Sequence, residues 1–271
     1  MKKVSALVLS LVMAAAFCAG AGAETPKTEV VVFAAASLTE SLTEIKALYE
    51  AEHPDIRLVF SFDSSGTLKT QIQEGAACDL FISAGQKQMN QLDITRDAEE
   101  NPERLDFVLE GSRTDLLENK VALVTPADNP KGIQSFDQLA ELLKDGELLM
   151  AMGNSDVPVG QYTRKILAYY GLDEEKPAKA GRITYGSNVK EVTTQVAEGS
   201  VDCGVVYATD AYSAGLEITD TATAEMCGQV IYPAAVIRTG AAPEAAQAFL
   251  DYLRGDGAMK VFEGIGFTCI R

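Results

Sequence analysis

Large apolar residues fall along the chain in short unbroken runs that alternate with stretches of helical spacing. Residues 30–33, Val-Val-Val-Phe, read as a buried strand, and Ala34, Ala35 and Ala36 after it let the backbone pass close to a neighbour. Beyond them Leu38, Leu42, Ile45, Leu48 and Tyr49 recur at helical spacing, with Glu40, Glu44 and Lys46 opposite. This predicts an amphipathic helix with Ser37 as its N-cap. The arrangement returns at once: 58–62 predicts a strand, 63–67 (Asp-Ser-Ser-Gly-Thr) a turn, and 68–74 a helix with Leu68 and Ile72 inward.

The rest of the chain follows the same alternation. Strands are expected at 78–84, 120–126, 148–152, 201–207 and 230–237, and helices at 86–92, from 135, at 161–170, from 189 and at 243–253. Residues 95–119 read as polar and irregular, and 264–267 as a closing turn. No internal repeat or low-complexity tract is visible. Strands alternating with helices predict an α/β protein. The runs at 120–126 and 230–237 are long enough to leave one lobe and return. The expected organisation is a first lobe of residues 24–120 and 232–271, with an inserted second lobe of 121–231.

Four strand-to-helix turns carry candidate chemistry. Ser37 lies in the first, and Ser64, Ser65 and Thr67 surround Gly66 in the second. In the third, residues 153–160, Pro158 has no N–H, so Val159 and Gly160 are the backbone donors. In the fourth, Asn188 is the expected N-cap of a helix with Val189, Val192 and Val196 inward. Tyr207 closes the strand 201–207, where a core tyrosine and a functional hydroxyl are equally consistent with the pattern. Helix N-termini at the carboxyl ends of strands offer N–H groups and a partial positive charge to an anion.

The first residues carry a different signal. Lys2 and Lys3 precede the apolar run 4–17, and Ala21-Gly22-Ala23 fits a small-residue cleavage site, so 1–23 reads as a secretory signal peptide. The competing reading is a lipoprotein signal with Cys18 as the lipid-bearing residue, against which Phe17 is a poor fit. No second run reaches the roughly 18 apolar residues of a membrane span. The expected location is outside the cytoplasmic membrane, in the periplasm or, through Cys18, anchored at the outer face.

The full chain of 271 residues has a net charge of −16. Removing 1–23 takes away two lysines and no acids, which leaves 21 basic and 39 acidic residues, a net −18. Such a surface argues against nucleic acid and anionic membranes. It does not exclude a small anion in a closed site, where aimed local dipoles act unscreened. Cys78, Cys203, Cys227 and Cys269 remain, with three possible full pairings that the sequence does not rank. His53 is the single histidine, there is no C-x-x-C and no G-x-S-x-G. Zinc sites and the common hydrolase constellations are poorly supplied.

The chain resembles the molybdate-binding proteins of ABC-type importers, a group of periplasmic solute receptors. The resemblance spans nearly all of the mature chain and rests on FAAASLTESL at 33–42, SSGTLKTQIQEGAACDLFISA at 64–84, DVPVGQYTRKIL at 156–167 and GVVYATDA at 204–211. YPAAV at 232–236 and GFT at 266–268 also match. It implies two lobes, each a mixed sheet flanked by helices, closing over a tetrahedral oxyanion in the cleft between them. It also implies binding by the hydroxyls of Ser37, Ser65 and Tyr207 and the backbone N–H groups of Val159 and Val189. The metal would be held only through its oxygens, with no cofactor. A membrane permease is the implied partner, and the expected state is a monomer. Two residues depart from the family pattern: Asp63, expected to point away from an anion or to cap its own backbone, and Val159, larger than the usual alanine.

Neutral donors suit a fully deprotonated dianion, and a donor-only pocket leaves the proton of hydrogen phosphate without an acceptor. Molybdate and tungstate, close in size and charge, are not expected to be told apart. A receptor for tungstate or sulfate is the alternative within binding proteins. An exported serine enzyme using Ser37 or Ser65 is the alternative outside them, and it lacks a base beside either serine.

Overall fold

The computed structural model describes residues 27–270; the predicted signal segment 1–23 and Cys18 lie outside the described residues. Two mixed sheets form the frame. The strands are β1 (Thr28–Ala35), β2 (Ile56–Asp63), β3 (Leu80–Ile82), β4 (Thr114–Asn119), β5 (Val121–Val124) and β6 (Met150–Gly153). After them come β7 (Ile183–Gly186), β8 (Cys203–Tyr207), β9 (Ile218–Thr221), β10 (Val230–Val236) and β11 (Thr268–Cys269). The first sheet has the order β11-β4-β10-β3-β1-β2 and the second β7-β6-β8-β5-β9. Helices flank each sheet, which gives the two-lobed α/β fold.

The two sheets repeat one topology. β1 pairs in parallel with β2 on one side and β3 on the other. β6 does the same with β7 and β8. In each lobe an antiparallel strand then covers the third: β10 beside β3, and β5 beside β8. The chain order therefore reverses at β1 and again at β6. Ligands bind outside the carboxyl ends of strands at such switch points.

Parallel strands buried on both faces need apolar residues throughout, and Val30, Val32, Leu80, Phe81, Ile82, Met150, Ala151 and Met152 are all buried. The helices bury Leu42, Ile45 and Tyr49 in Thr39–Glu52, and Val189, Val192 and Val196 in Val189–Ala197, as the spacing predicts, whereas Leu48, expected in the first stripe, is exposed. β10 is central yet contains Pro233, which cannot donate to a ladder. The pairing with β4 shifts register between Tyr232 and Pro233, so the strand absorbs the proline at an irregularity.

Three local expectations are corrected. Residues 114–119 are not irregular: they form β4, whose Leu116 and Leu117 are buried between polar neighbours that masked the strand. Ser37 does not cap a helix. It sits in a 3-10 turn, Ala36–Leu38, and the helix behind it starts at Thr39 with no side-chain cap. In the second turn the cap is Ser64, whose Oγ accepts from the Thr67 N–H at 3.1 Å, and Ser65 is the first helical residue. Cys78, Cys203 and Cys227 are buried free thiols, and Cys78 is pushed up to about 12 by burial.

Candidate functional site

Six strand ends meet between the sheets. Ser37 follows β1, Ser65 follows β2 and Ala84 follows β3; from the second sheet, 157–159 follow β6, Val189 follows β7 and Tyr207 ends β8. Ser37, Ser65, Ala84, Val157, Pro158, Val189 and Tyr207 line one small cavity of about 10 Å³, together with Ala35, Ala36, Asp63 and Ser64. That is about the space of one water molecule. Four of the five residues expected to converge, Ser37, Ser65, Val189 and Tyr207, do so. Val159 is buried and does not line the cavity; its neighbours Val157 and Pro158 do.

The hydroxyls are held by partners far away in sequence. Ser37 Oγ and the Tyr232 hydroxyl share a hydrogen bond of 2.9 Å, and Asn119 Nδ2 donates to Tyr232 at 3.2 Å and to Thr209 Oγ1 at 2.9 Å. Ser65 Oγ accepts from the Ala84 N–H at 2.9 Å. The Tyr207 hydroxyl donates to the Ala84 carbonyl at 3.3 Å, across the cleft. Burial holds both Tyr207 and Tyr232 well above the ordinary tyrosine range, so both stay protonated and neutral.

Val159 and Val189 lie in the first turns of Pro158–Tyr169 and Val189–Ala197, where N–H groups have no partner within the helix. Asn188 caps the latter through the Glu191 N–H at 3.2 Å, as its sequence position predicts. Asp63 accepts the Ser64 N–H at 2.7 Å and the Asn188 side-chain amide at 3.4 Å. It caps its own backbone and still belongs to the cavity wall.

Tyr232, Asn119 and Ala84 were not singled out by the sequence. Tyr232 lay in the return strand, Asn119 in the stretch read as irregular, and Ala84 contributes only backbone. A wider concavity of about 950 Å³ lies on the first lobe around Arg113, where Arg113 and Arg96 meet Asp93 and Arg238 meets Asp106. It is not where the strand ends converge. Among the described residues no cluster of histidine, cysteine or carboxylate groups could hold a metal ion, and no helix is long and apolar enough to cross a membrane.

Two α/β lobes with neutral donors facing each other across a cleft define a solute-binding protein. The chain belongs to the bacterial extracellular solute-binding proteins, whose family model matches residues 30–268. It is similar to YvgL of Bacillus subtilis (strain 168), a lipoprotein assigned as the substrate-binding part of an ABC transporter: 35% identity, covering 89% of this chain and 87% of that one. It is also similar to the molybdate-binding protein ModA of Haemophilus influenzae, at 32% identity over 89% of this chain and 90% of the relative. The periplasmic molybdate-binding protein of Azotobacter vinelandii shares the fold with a TM-score of 0.73 at 22% identity, covering 89% of this chain and 100% of that one. The family binds solutes, and the chain is a binding protein rather than an enzyme.

Proposed function

We propose that the protein captures molybdate, and equally tungstate, as tetrahedral dianions and presents them to the membrane permease of an ABC importer. The observation that carries this reading is the convergence of Ser37, Ser65, Val189 and Tyr207 on one cavity from two different sheets. The serine and tyrosine hydroxyls and the helix-start N–H groups are neutral donors. Capture exchanges the contacts among Tyr207, Ala84 and Ser65 for contacts to the anion's oxygens. Val159 contributes its N–H from the second lobe.

An ion of five heavy atoms needs more room than the cavity of about 10 Å³, so the lobes open to admit it and close around it. The hinge is assigned to the two crossings, near Val121–Val124 and at the start of β10, with 24–120 and 232–271 moving as one lobe and 121–231 as the other. The protein acts as a monomer outside the cytoplasmic membrane, released after cleavage at Ala23. Isothermal titration of the purified protein with molybdate, tungstate, sulfate and phosphate tests the reading. One site per chain is expected, tight for the first two and absent for phosphate; phosphate bound as tightly as molybdate would remove it.

A further inference from the structure

Lys190 joins the two lobes at the mouth of the cleft. It follows Val189 in the first turn of its helix, and its ammonium lies 2.8 Å from both carboxylate oxygens of Glu40 and 3.1 Å from Asp210 Oδ1. Glu40 belongs to the first lobe, three residues after Ser37, and Asp210 to the second, three residues after Tyr207. Each member of the trio therefore stands beside a residue that lines the cavity.

The two contacts differ in kind. Asp210 is fully buried, and the Lys190 ammonium 3.1 Å from its Oδ1 is the cation that pairs with it. A buried carboxylate so placed needs a cation, and losing it would be costly. Glu40 has a side chain 44% exposed and could be solvated by water instead. Asp210 thus anchors Lys190 inside the second lobe, while Glu40 is the partner that parts from it when the lobes separate. Lys190 also violates a local preference, because a cation in the first turn opposes the helix dipole. The electrostatic return comes from across the cleft.

We propose that Lys190 is the latch of the cleft, a positioning residue that is fixed on Asp210 and grips Glu40 only in the closed form, and so slows release of the bound anion. This rests on the oxyanion reading for its ligand but not for its geometry. A partly exposed pair is weakened by salt, and a contact present only in the closed form acts on the off-rate.

The test measures molybdate dissociation by stopped flow for the wild type, Glu40→Gln, Lys190→Met and Lys190→Arg. The latch predicts release about three- to tenfold faster for Glu40→Gln and Lys190→Met in low salt, with Lys190→Arg near the wild type and the Glu40→Gln difference erased at high salt. Glu40→Gln leaves Asp210 and Lys190 paired, so it remains informative where Lys190→Met fails to fold. Release from Glu40→Gln at the wild-type rate in low salt would overturn the latch and leave Lys190 as the counter-ion of Asp210 alone. Should the wild type bind no oxyanion, the proposed ligand fails and small-angle scattering decides the latch. Ligand-free Glu40→Gln must then show a larger radius of gyration than the wild type, and equal values overturn it.

Discussion

The Gly66 N–H donates to the Asp156 carbonyl at 3.1 Å, and a Cβ placed on Gly66 would lie 2.2 Å from that same oxygen. Gly66 belongs to the first lobe and Asp156 to the second, so main chain meets main chain across the cleft. The glycine is required by this approach rather than by a left-handed backbone. Gly66→Ala is expected to leave each lobe folded, hold the cleft open and weaken molybdate binding at least tenfold. Small-angle scattering with and without ligand checks it: the wild type should contract on binding and the variant should not. Normal contraction in the variant would mean that the lobes tolerate the extra methyl.

Removing individual side-chain donors separates hydroxyl from backbone binding. Ser37→Ala, Ser65→Ala and Tyr207→Phe should each cost about 1.5–3 kcal/mol, roughly 10–150-fold in affinity, for a lost charge-assisted hydrogen bond. Val159→Ala and Val189→Ala should cost far less, since they keep their N–H groups. Calorimetry on the five variants gives the comparison, and valine changes as damaging as the serine ones would refute backbone donation.

Asp63 holds a carboxylate in the wall of a cavity assigned to an anion. Asp63→Asn keeps an oxygen that can accept the Ser64 N–H and removes the charge. Binding of the dianion should tighten several-fold, with the gain largest at low ionic strength. Titrations at two salt concentrations test this, and weaker binding by Asp63→Asn would show that the carboxylate's contact with Asn188 outweighs its repulsion.

Burial pushes the Asp210 carboxyl up to about 6, with Lys190 offsetting part of the effect. Lys190, Glu40, Tyr207 and Tyr232 are the groups that interact with it electrostatically or through Lys190. A carboxyl raised in the folded state holds its proton where the unfolded chain, near 4, has lost it. Its stabilising contribution is therefore complete below about pH 4 and lost as pH rises through about 6. The stability of Asp210→Asn relative to wild type should rise between pH 4 and pH 7 by an amount on the order of 3 kcal/mol and level off above, with its Tm relative to wild type rising over the same range. A relative Tm that falls over that range would contradict the assignment.

Much of this frame was legible from periodicity. The apolar runs at β1, β3, β6, β8 and β10 and the turns after them stand out because strands inside a sheet covered on both faces have no polar face to dilute them, and β2 stands out by its alternating large apolar residues. β4 did not, since Thr114, Asp115, Glu118 and Asn119 surround only two leucines. The pattern located the Ser37 turn but not its geometry: a 3-10 turn and a capped helix start look alike in sequence. The repeated topology was invisible because the two lobes share strand order and not side chains. Lys190 was missed for another reason. Its partners lie 150 and 20 residues away, on different helices, and no local spacing brings them together.

The place of β10 has a consequence for how the molecule is made. β4 pairs only with β10 and β11, both of which come later in the chain than the whole second sheet. A polypeptide that emerges N-terminus first therefore carries β4 as an unsatisfied edge until residue 230 arrives, while every strand of the second sheet, 121–221, is already available to pair. Self-assembly runs from the inside outward: the inserted half completes first, and the flanking half closes around β10 afterwards. That late, long-range pairing is the slow and aggregation-exposed step, so an agent that shields strand edges should act on this chain while β4 waits.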